Sequence, residues 1–444
     1  MGGRPNILFV FTDQQTRGAL SAWGNRFLHT PHLDSLARNG VMFWNSYCAA
    51  PVCGPARASL VTGRMPHETG LEWNGLPLPA HFPTLGEVFR QAGYETAWAG
   101  PWHLSEYCPA ADSDLRGFRH FGVPRSPLEH LGTHVDETIA AQAIEFLHQP
   151  HRQPFFLGVS LVNPHDICYW IMERDRDVLN RFLPQGELPP LPDNFAVDPD
   201  EPEFIQICRQ RDHYGDEQRW TTSWNETMWR TYLAVYHRMV EHADASLGRI
   251  LAALRERGLE DDTLVVFTSD HGEGVAAHRW VVKLMLYEET AAVPFLISCK
   301  GQIPAGRVDR SHLVSGIDVM PTLCEYADIP PPQGLHGHSL KAVIEDLSAS
   351  GRDFVVSELL PDLNRAELKG RMLRTRRHKY IVFSRGRAPE LFFDLDLDPG
   401  ETKNLVASSG HQSELRRHRD LLAQWIRKTN DPFQSHRNCD TPAS

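Results

Sequence analysis

Five short runs of the chain are apolar at consecutive positions instead of alternate ones: "NILFVF" (6–11), "ETAWAG" (95–100), "FFLGVSLV" (155–162), "TLVVFTSD" (263–270) and "VPFLIS" (293–298). A strand that is apolar on both faces belongs inside a sheet covered on both sides. Between these runs lie segments of helical period: "HLDSLARNG", "TLGEVFRQAG", "DETIAAQAIEFLHQ" and the long "TMWRTYLAVYHRMVEHADASLGRILAALRERG". Most of them stop at glycine, the residue that best accepts the left-handed turn after a helix. Strand–helix alternation of this kind predicts an α/β sandwich around a largely parallel sheet.

Two segments break the rhythm. Residues 167–226 include "FLPQGELPPLPDNFAVDPDEPEF", rich in proline and acids, and read as an irregular substrate-loop insert. After "DIPPPQGLHGHSL" the pattern changes to "DFVVSEL", "HKYIVFS" and "ELFFDLD", then the helical "SELRRHRDLLAQWIRK". This predicts a catalytic domain over residues 1–345 and a smaller α+β domain with an antiparallel sheet over 346–444.

Composition narrows the function classes. The 444 residues are 41% hydrophobic and 23% charged, with a net charge of −11, so a general binder of nucleic acid or anionic membrane is excluded. Any anion must be held in a local pocket, against the overall charge. The apolar run of "MGGRPNILFVFTDQQ" reaches Asp13 before a secretory core forms, no stretch is long enough to span a bilayer, and eight scattered cysteines form no CxxC pair. The expectation is a cytoplasmic protein with reduced thiols. The "NET" sequon at 225 is then without meaning for glycosylation, and "RTRRHKY" (374–380) is expected to be a solvated strand edge.

In open α/β sheets, ligands bind beyond the carboxyl ends of the strands. The polar residues there are Asp13 and Gln14 in "TDQQ", His103 in "GPWHL", His165 in "NPHD", and Asp270 and His271 in "SDHGE". One Asp or His after a strand is usually a cap or turn residue; recurrence at four strand ends points to a site. Carboxylate and amide oxygens suit a hard divalent cation such as Ca2+, and the imidazole leaves room for Mn2+.

The stretch "AAPVCGPARASLVTGR" (49–64) adds an anion clamp. If a helix begins here, Pro55 fits its first turn and Cys53 sits at the positive end of its dipole. Arg57, four residues on, returns to the same face and can pair with an oxyanion. Spacing does not choose between phosphate and sulfate.

C-x-P-x-R followed by "ASLVTGR" resembles the signature of the type I sulfatases, members of the alkaline phosphatase superfamily. The likeness continues through "PNILFVFTDQ", "WHL", "NPHD", "TSDHGE", "KLMLYEETAAVPFLIS", "GIDVMPTLCEYADI", "GLHGHSL" and "LFFDLDLDPGETKNL". It implies an alkaline-phosphatase-like sandwich that hydrolyses small organic or carbohydrate sulfate esters. It also implies that formylglycine-generating machinery converts Cys53 to formylglycine, whose gem-diol supplies the nucleophile. By the same resemblance Asp13, Gln14, Asp270 and His271 are the metal ligands and Arg57 holds the converted side chain. His103 takes a proton in the release step, and His165 or Lys283 protonates the leaving oxygen. Asn74 and His278 are substrate-pocket contacts.

One departure from the family pattern matters. "AGPWHL" carries Pro101 where the family commonly has lysine, which removes a positive charge from the anion site. Arg64 and Arg279 are the candidates to replace it. The phosphonate monoester hydrolase relatives also lack that lysine, so phosphonate monoester or phosphodiester hydrolysis is the alternative activity. An inactive anion-binding relative that keeps its thiol is a third reading.

Overall fold

The computed structural model describes residues 4–104, 106, 109–123, 133–172, 183, 186–210 and 217–435. A nine-stranded sheet carries the larger part of the chain. Its strands are β1 (Asn6–Asp13), β2 (Val41–Tyr47), β3 (Glu95–Ala99), β4 (Asp114–Leu115), β5 (Phe118–His120), β6 (Phe155–Pro164), β7 (Thr263–Ser269), β8 (Phe295–Ser298) and β9 (Arg307–Ser315). They lie in the order β4-β5-β3-β6-β1-β7-β8-β2-β9. β1 pairs in parallel with β6 on one side and β7 on the other, while β8 runs antiparallel to both β7 and β2.

The consecutive apolar residues of β1 divide between two cores. Ile7, Phe9 and Phe11 face Ala58, Leu60 and Val61 of the helix Cys53–Thr62, together with Phe89, Met320 and Leu323. Leu8 and Val10 face Leu33, Ile139, Phe146, Leu247 and Ile250 on the opposite side. Those residues belong to the helices Pro31–Arg38, Thr133–His148 and Glu226–Glu256. Each fully buried Leu, Ile or Phe contributes about 1.5–3 kcal/mol, so covering both faces explains the unbroken apolar runs.

The long helix Glu226–Glu256 starts at Asn225, whose side chain accepts the Met228 N–H at 2.9 Å. The asparagine of the "NET" sequon is thus a helix cap. No helix among the described residues is long and apolar enough to cross a membrane.

A separate four-stranded antiparallel sheet follows: β10 (Phe354–Leu359), β11 (Gly370–Thr375), β12 (His378–Phe383) and β13 (Glu390–Asp394). One face packs on the closing helix Gln412–Thr429 through Leu373, Tyr380, Phe392, Leu415 and Leu422. The other packs on Tyr47, Met285, Leu286 and Phe204 of the larger body.

Two expectations change here. "RTRRHKY" is not a solvated edge throughout, because Lys379 and Arg374 are buried. Lys379 Nζ lies 2.9 Å from Glu401 Oε1 and 3.1 Å from Glu288 Oε1, and Arg374 Nε donates to Tyr47 Oη at 2.8 Å. These partners compensate the lost hydration of the two cations. The segment 167–226, part of which lies outside the described residues, contains the short helices Ile167–Ile171, Glu203–Arg209 and Glu217–Trp220. Phe204 stacks on Phe383 with ring centroids 4.1 Å apart, and Trp224 is buried against Trp229.

Candidate active site

β1, β6 and β7 are parallel and adjacent, so their carboxyl ends open on the same edge. Thr12 pairs with Ser269 and Asp13 with Pro164, which brings Asp13, Asp270 and the "NPHD" turn together. The "DHGEG" turn needs its glycine at 272: a Cβ there would meet the Glu289 carbonyl oxygen at 2.0 Å. The helix Cys53–Thr62 begins at Cys53, with Val52 as its cap and Pro55 in its first turn. All ten of its residues are buried, and its N-terminus presents the thiol to the strand ends.

The geometry is compact. Cys53 Sγ lies 2.8 Å from Lys283 Nζ, 3.2 Å from His271 Nε2 and 3.6 Å from Asp13 Oδ1. Arg57 Nη2 donates to Asp13 Oδ2 at 2.7 Å and Nε to Asp270 Oδ2 at 2.9 Å. Its Nη1 donates to the Pro101 carbonyl at 2.9 Å and to Ser160 Oγ at 3.1 Å. Lys283 Nζ also donates to Gln14 Oε1 at 3.0 Å, and the Gln14 N–H donates to Asp270 Oδ1 at 3.1 Å. Asn74 Oδ1 accepts the Gly54 N–H at 2.7 Å, so its amide sits beside the helix start.

Burial and charge compete at every titratable group. Burial pushes the Asp13 carboxyl up, but the charges of His165, Arg57, Lys283 and His271 together hold it far below the usual range. Burial and the negative charge of Asp13 raise Asp270 to about 7, against the pull of Arg57. Burial, then Asp13, pushes the Cys53 thiol up to about 12. His103 falls to about 3 through burial and the nearby Arg57 charge, and burial takes His165 down to about 4 although Asp13 opposes it.

Asp13, Cys53, Asp270 and His271 each offer a ligand atom, all within 4.8 Å of one another. Two carboxylates, an imidazole and the amide oxygen of Gln14 make a donor set that fits a hard divalent cation. Two other groups have compatible spacing but are occupied by ion pairs and hydrogen bonds. His67, Glu358 and Asp431 gather around Arg371. His278, Glu289 and Glu401 are joined to Asn194 and Lys379.

Most of the residues expected from the sequence therefore meet. Asp13, Gln14, Cys53, Arg57, Asp270, His271 and Lys283 are in direct contact, and His103 and His165 lie close enough to feel the charges of Asp13, Arg57 and Lys283. His278 lies elsewhere, stacked on Tyr287 at 4.0 Å with Arg209 on its carbonyl. The charge missing at Pro101 is not replaced by the two arginines expected to do so. Arg64 bonds Glu68 and the carbonyls of Gln333 and Gly334, and the Arg279 guanidinium lies over the Phe195 ring. Ser160, Cys168 and Glu273 also touch site residues, and Tyr232 touches Glu273, although the sequence gives no sign of these contacts. Of these residues, only Glu273 lies within a motif already marked.

Comparison with known proteins agrees with this geometry. The sulfatase family model matches residues 5–329, and a model described as "N-sulphoglucosamine sulphohydrolase, C-terminal" matches 276–428. The Delta 4,5-hexuronate-2-O-sulfatase of Bacteroides thetaiotaomicron is 32% identical, over 97% of this chain and 91% of its own. A solved 2-O GAG sulfatase superposes with a TM-score of 0.84 at 29% identity, covering 99% of this chain and 95% of that one. The phosphonate monoester hydrolase of Agrobacterium radiobacter shares the fold, with a TM-score of 0.79 at 24% identity and 96% of each chain covered. Acidic and imidazole side chains at the strand ends, a buried Cys-x-Pro-x-Arg helix and matches along nearly the whole length have one explanation: the chain belongs to the sulfatase family of the alkaline phosphatase superfamily, and it is a sulfatase.

Proposed function

We propose that this sulfatase hydrolyses the sulfate ester of a saccharide, with Cys53 converted to formylglycine and a divalent cation, Ca2+ in the first instance, held by Asp13, Gln14, Asp270 and His271. The observation that carries the reading is the position of Cys53 Sγ, 2.8 Å from Lys283 Nζ and 3.6 Å from Asp13 Oδ1 at a helix N-terminus. A thiol raised to about 12 stays protonated and is a poor nucleophile. A thiolate that did attack sulfur would leave a thiosulfate with no easy exit. These two difficulties support conversion of the side chain.

The bound cation would neutralise charge on the sulfate and lower the nucleophile's pKa. A hydrated formylglycine at position 53 would supply the hydroxyl that attacks sulfur as the bond from sulfur to the sugar oxygen breaks, and a second hydroxyl whose collapse to the aldehyde would free sulfate. Lys283, 2.8 Å from Cys53 Sγ, would hold the anion and give a proton to the departing sugar oxygen, with His165 the alternative donor. His103, neutral at pH 7 because burial and Arg57 lower it to about 3, is the acceptor for the proton lost on collapse. Arg57 keeps Asp13 and Asp270 in place and contributes positive charge at the helix start. Asn74 offers its amide N–H groups to the same anion.

The substrate class follows the relative whose name specifies a 2-O-sulfated hexuronate, so an unsaturated hexuronate 2-O-sulfate is the first compound to test. A second reading is hydrolysis of a phosphonate monoester or phosphodiester: these monoanions carry the same single charge as a sulfate monoester, so a site with the uncharged Pro101 accommodates either, and a phosphonate monoester hydrolase shares the fold. Peptide mass spectrometry across residues 49–57, after expression beside a formylglycine-generating enzyme, tests the conversion. Aldehyde in place of thiol supports it, and a persistent thiol supports an inactive anion-binding relative. Turnover of aryl sulfate against aryl phosphonate then separates the two activities.

A further inference from the structure

Gln14 presents an amide to the cluster, and an amide has two unlike ends. Only the oxygen suits a cation; a half-turn of the side chain would point N–H groups at it. In the structure Gln14 Oε1 faces Lys283 Nζ at 3.0 Å, while Nε2 donates to Glu273 Oε2 at 2.5 Å and lies 3.2 Å from Cys168 Sγ. Glu273 is fully buried. Its other oxygen accepts from the Tyr232 hydroxyl and from the Val282 N–H.

That last bond reaches a second site residue. Val282 and Leu284, on either side of Lys283, have φ of +54° and +71°. The left-handed region is unfavourable for a β-branched residue such as valine, and it persists only where neighbouring contacts enforce it. Gly274 N–H donates to the Val282 carbonyl at 2.8 Å, so both polar groups of Val282 are tied to the turn that contains Glu273.

We propose that Glu273, supported by Tyr232, is a positioning residue that sets two members of the site at once: it fixes the Gln14 amide with its oxygen toward the cation position, and it holds the 282–284 backbone that delivers Lys283 to Cys53. The inference rests on the reading of the Asp13 cluster as a metal site. Gln in place of Glu273 cannot reproduce the arrangement. Gln14 Nε2, Tyr232 Oη–H and Val282 N–H are all donors, and a second amide would set its own NH2 against one of them.

Calorimetric Ca2+ titration of metal-stripped protein tests the first half. Glu273→Gln weakens Ca2+ binding about 10- to 100-fold, as loss of a ligand's outer partner does, and Tyr232→Phe weakens it less. The exchanged pair Gln14→Glu/Glu273→Gln restores most of the affinity, since the new amide can donate to the new carboxylate; loss of packing alone would not be rescued this way. Hydrogen exchange tests the second half without metal: in Glu273→Gln the 280–286 peptide exchanges about tenfold faster, while peptides from β1 and β7 keep their protection. Unchanged Ca2+ affinity, or an exchanged pair no better than the single variant, overturns the proposal. A wild-type protein that binds no Ca2+ refutes the metal reading instead, and the exchange rate of 280–286 then decides the role of Glu273, an unchanged rate overturning it.

Discussion

The guanidinium of Arg57 meets the carboxylate of Asp13 at 2.7 Å with neither group exposed to solvent. The same guanidinium reaches Asp270 at 2.9 Å, so one cation compensates two buried carboxylates at the ends of neighbouring strands. Removing one partner of a buried pair leaves the other charge without water or counter-ion, at a cost of about 3–5 kcal/mol. Arg57→Ala is therefore expected to lower the urea stability of metal-free protein by that amount. Added Ca2+ recovers part of the loss, because the cation compensates the same carboxylates. Arg57→Lys keeps the charge but not the fork and falls between the two. An unchanged unfolding midpoint in Arg57→Ala contradicts this account.

Position 53 gives a sharper prediction for turnover. Cys53→Ala removes the aldehyde precursor, and sulfate ester hydrolysis falls by about 10^4-fold or more. The variant keeps the fold, because the helix is held by Ala58, Leu60 and Val61 against β1 and not by the thiol. Circular dichroism and initial rates measured on the same preparations check both statements.

The parts of this architecture visible in the sequence are those where the period of the chain and its burial agree. β1, β3, β6 and β7 are short apolar runs because helices cover both faces of the sheet. β2 and β9 were not anticipated, since "VMFWNSY" mixes amide and hydroxyl groups with apolar ones and "RVDRSHLVS" is an edge strand with exposed charges. In the site, Asp13, Asp270 and Cys53 stand at strand and helix ends, where a polar residue is conspicuous. Ser160 lies within the buried β6 run, and Tyr232 sits on a long helix among aromatic core residues. Their roles come from contacts 103 positions away for Ser160 and 41 for Tyr232, which no local pattern encodes. Lys379 reads as a solvated edge for the same reason: its carboxylates, Glu288 and Glu401, lie 91 and 22 positions away in the chain.

The smaller sheet carries a pH-dependent contribution to stability. His67 Nδ1 is hydrogen-bonded to Glu358, and Nε2 lies 3.2 Å from the Thr429 carbonyl. Burial lowers the imidazole, but the hydrogen bond and charge of Glu358, with Asp431 behind, raise it overall to about 9 from 6.5. The folded protein thus retains a proton that the unfolded chain loses earlier. The contribution is fully present below pH 6.5 and disappears as pH rises toward 9, amounting to about 3 kcal/mol. Urea midpoints between pH 6 and 9.5 (about half-unit steps) should fall across this window in wild type, and much less in His67→Gln.

Cation removal should be visible without substrate. A ligand at 100 times its Kd stabilises the folded state by about 2.7 kcal/mol, so chelation lowers the melting temperature and Ca2+ restores it. Asp270→Asn removes one carboxylate from the donor set and abolishes the response while leaving the β1–β7 pairing intact. A melting temperature indifferent to chelator, with metal content near zero in active protein, rules out the cation.

Pro101 supplies the last test. Its carbonyl accepts from Arg57 Nη1 at 2.9 Å and from Trp98 Nε1 at 3.4 Å, and any residue at the position keeps that carbonyl. What differs is the side chain, which in proline donates nothing. Pro101→Lys adds a cation beside the anion site and is expected to tighten competitive inhibition by inorganic sulfate about 3- to 10-fold, the effect of roughly 1 kcal/mol. Arg64→Ala leaves that inhibition unchanged, since Arg64 is engaged by Glu68 and the 333–334 carbonyls. If Pro101→Lys lowers aryl phosphonate turnover without raising sulfate ester turnover, the uncharged position serves phosphonate chemistry. If it tightens sulfate and raises sulfate ester turnover, the site is a sulfatase pocket working with one cation fewer than its relatives.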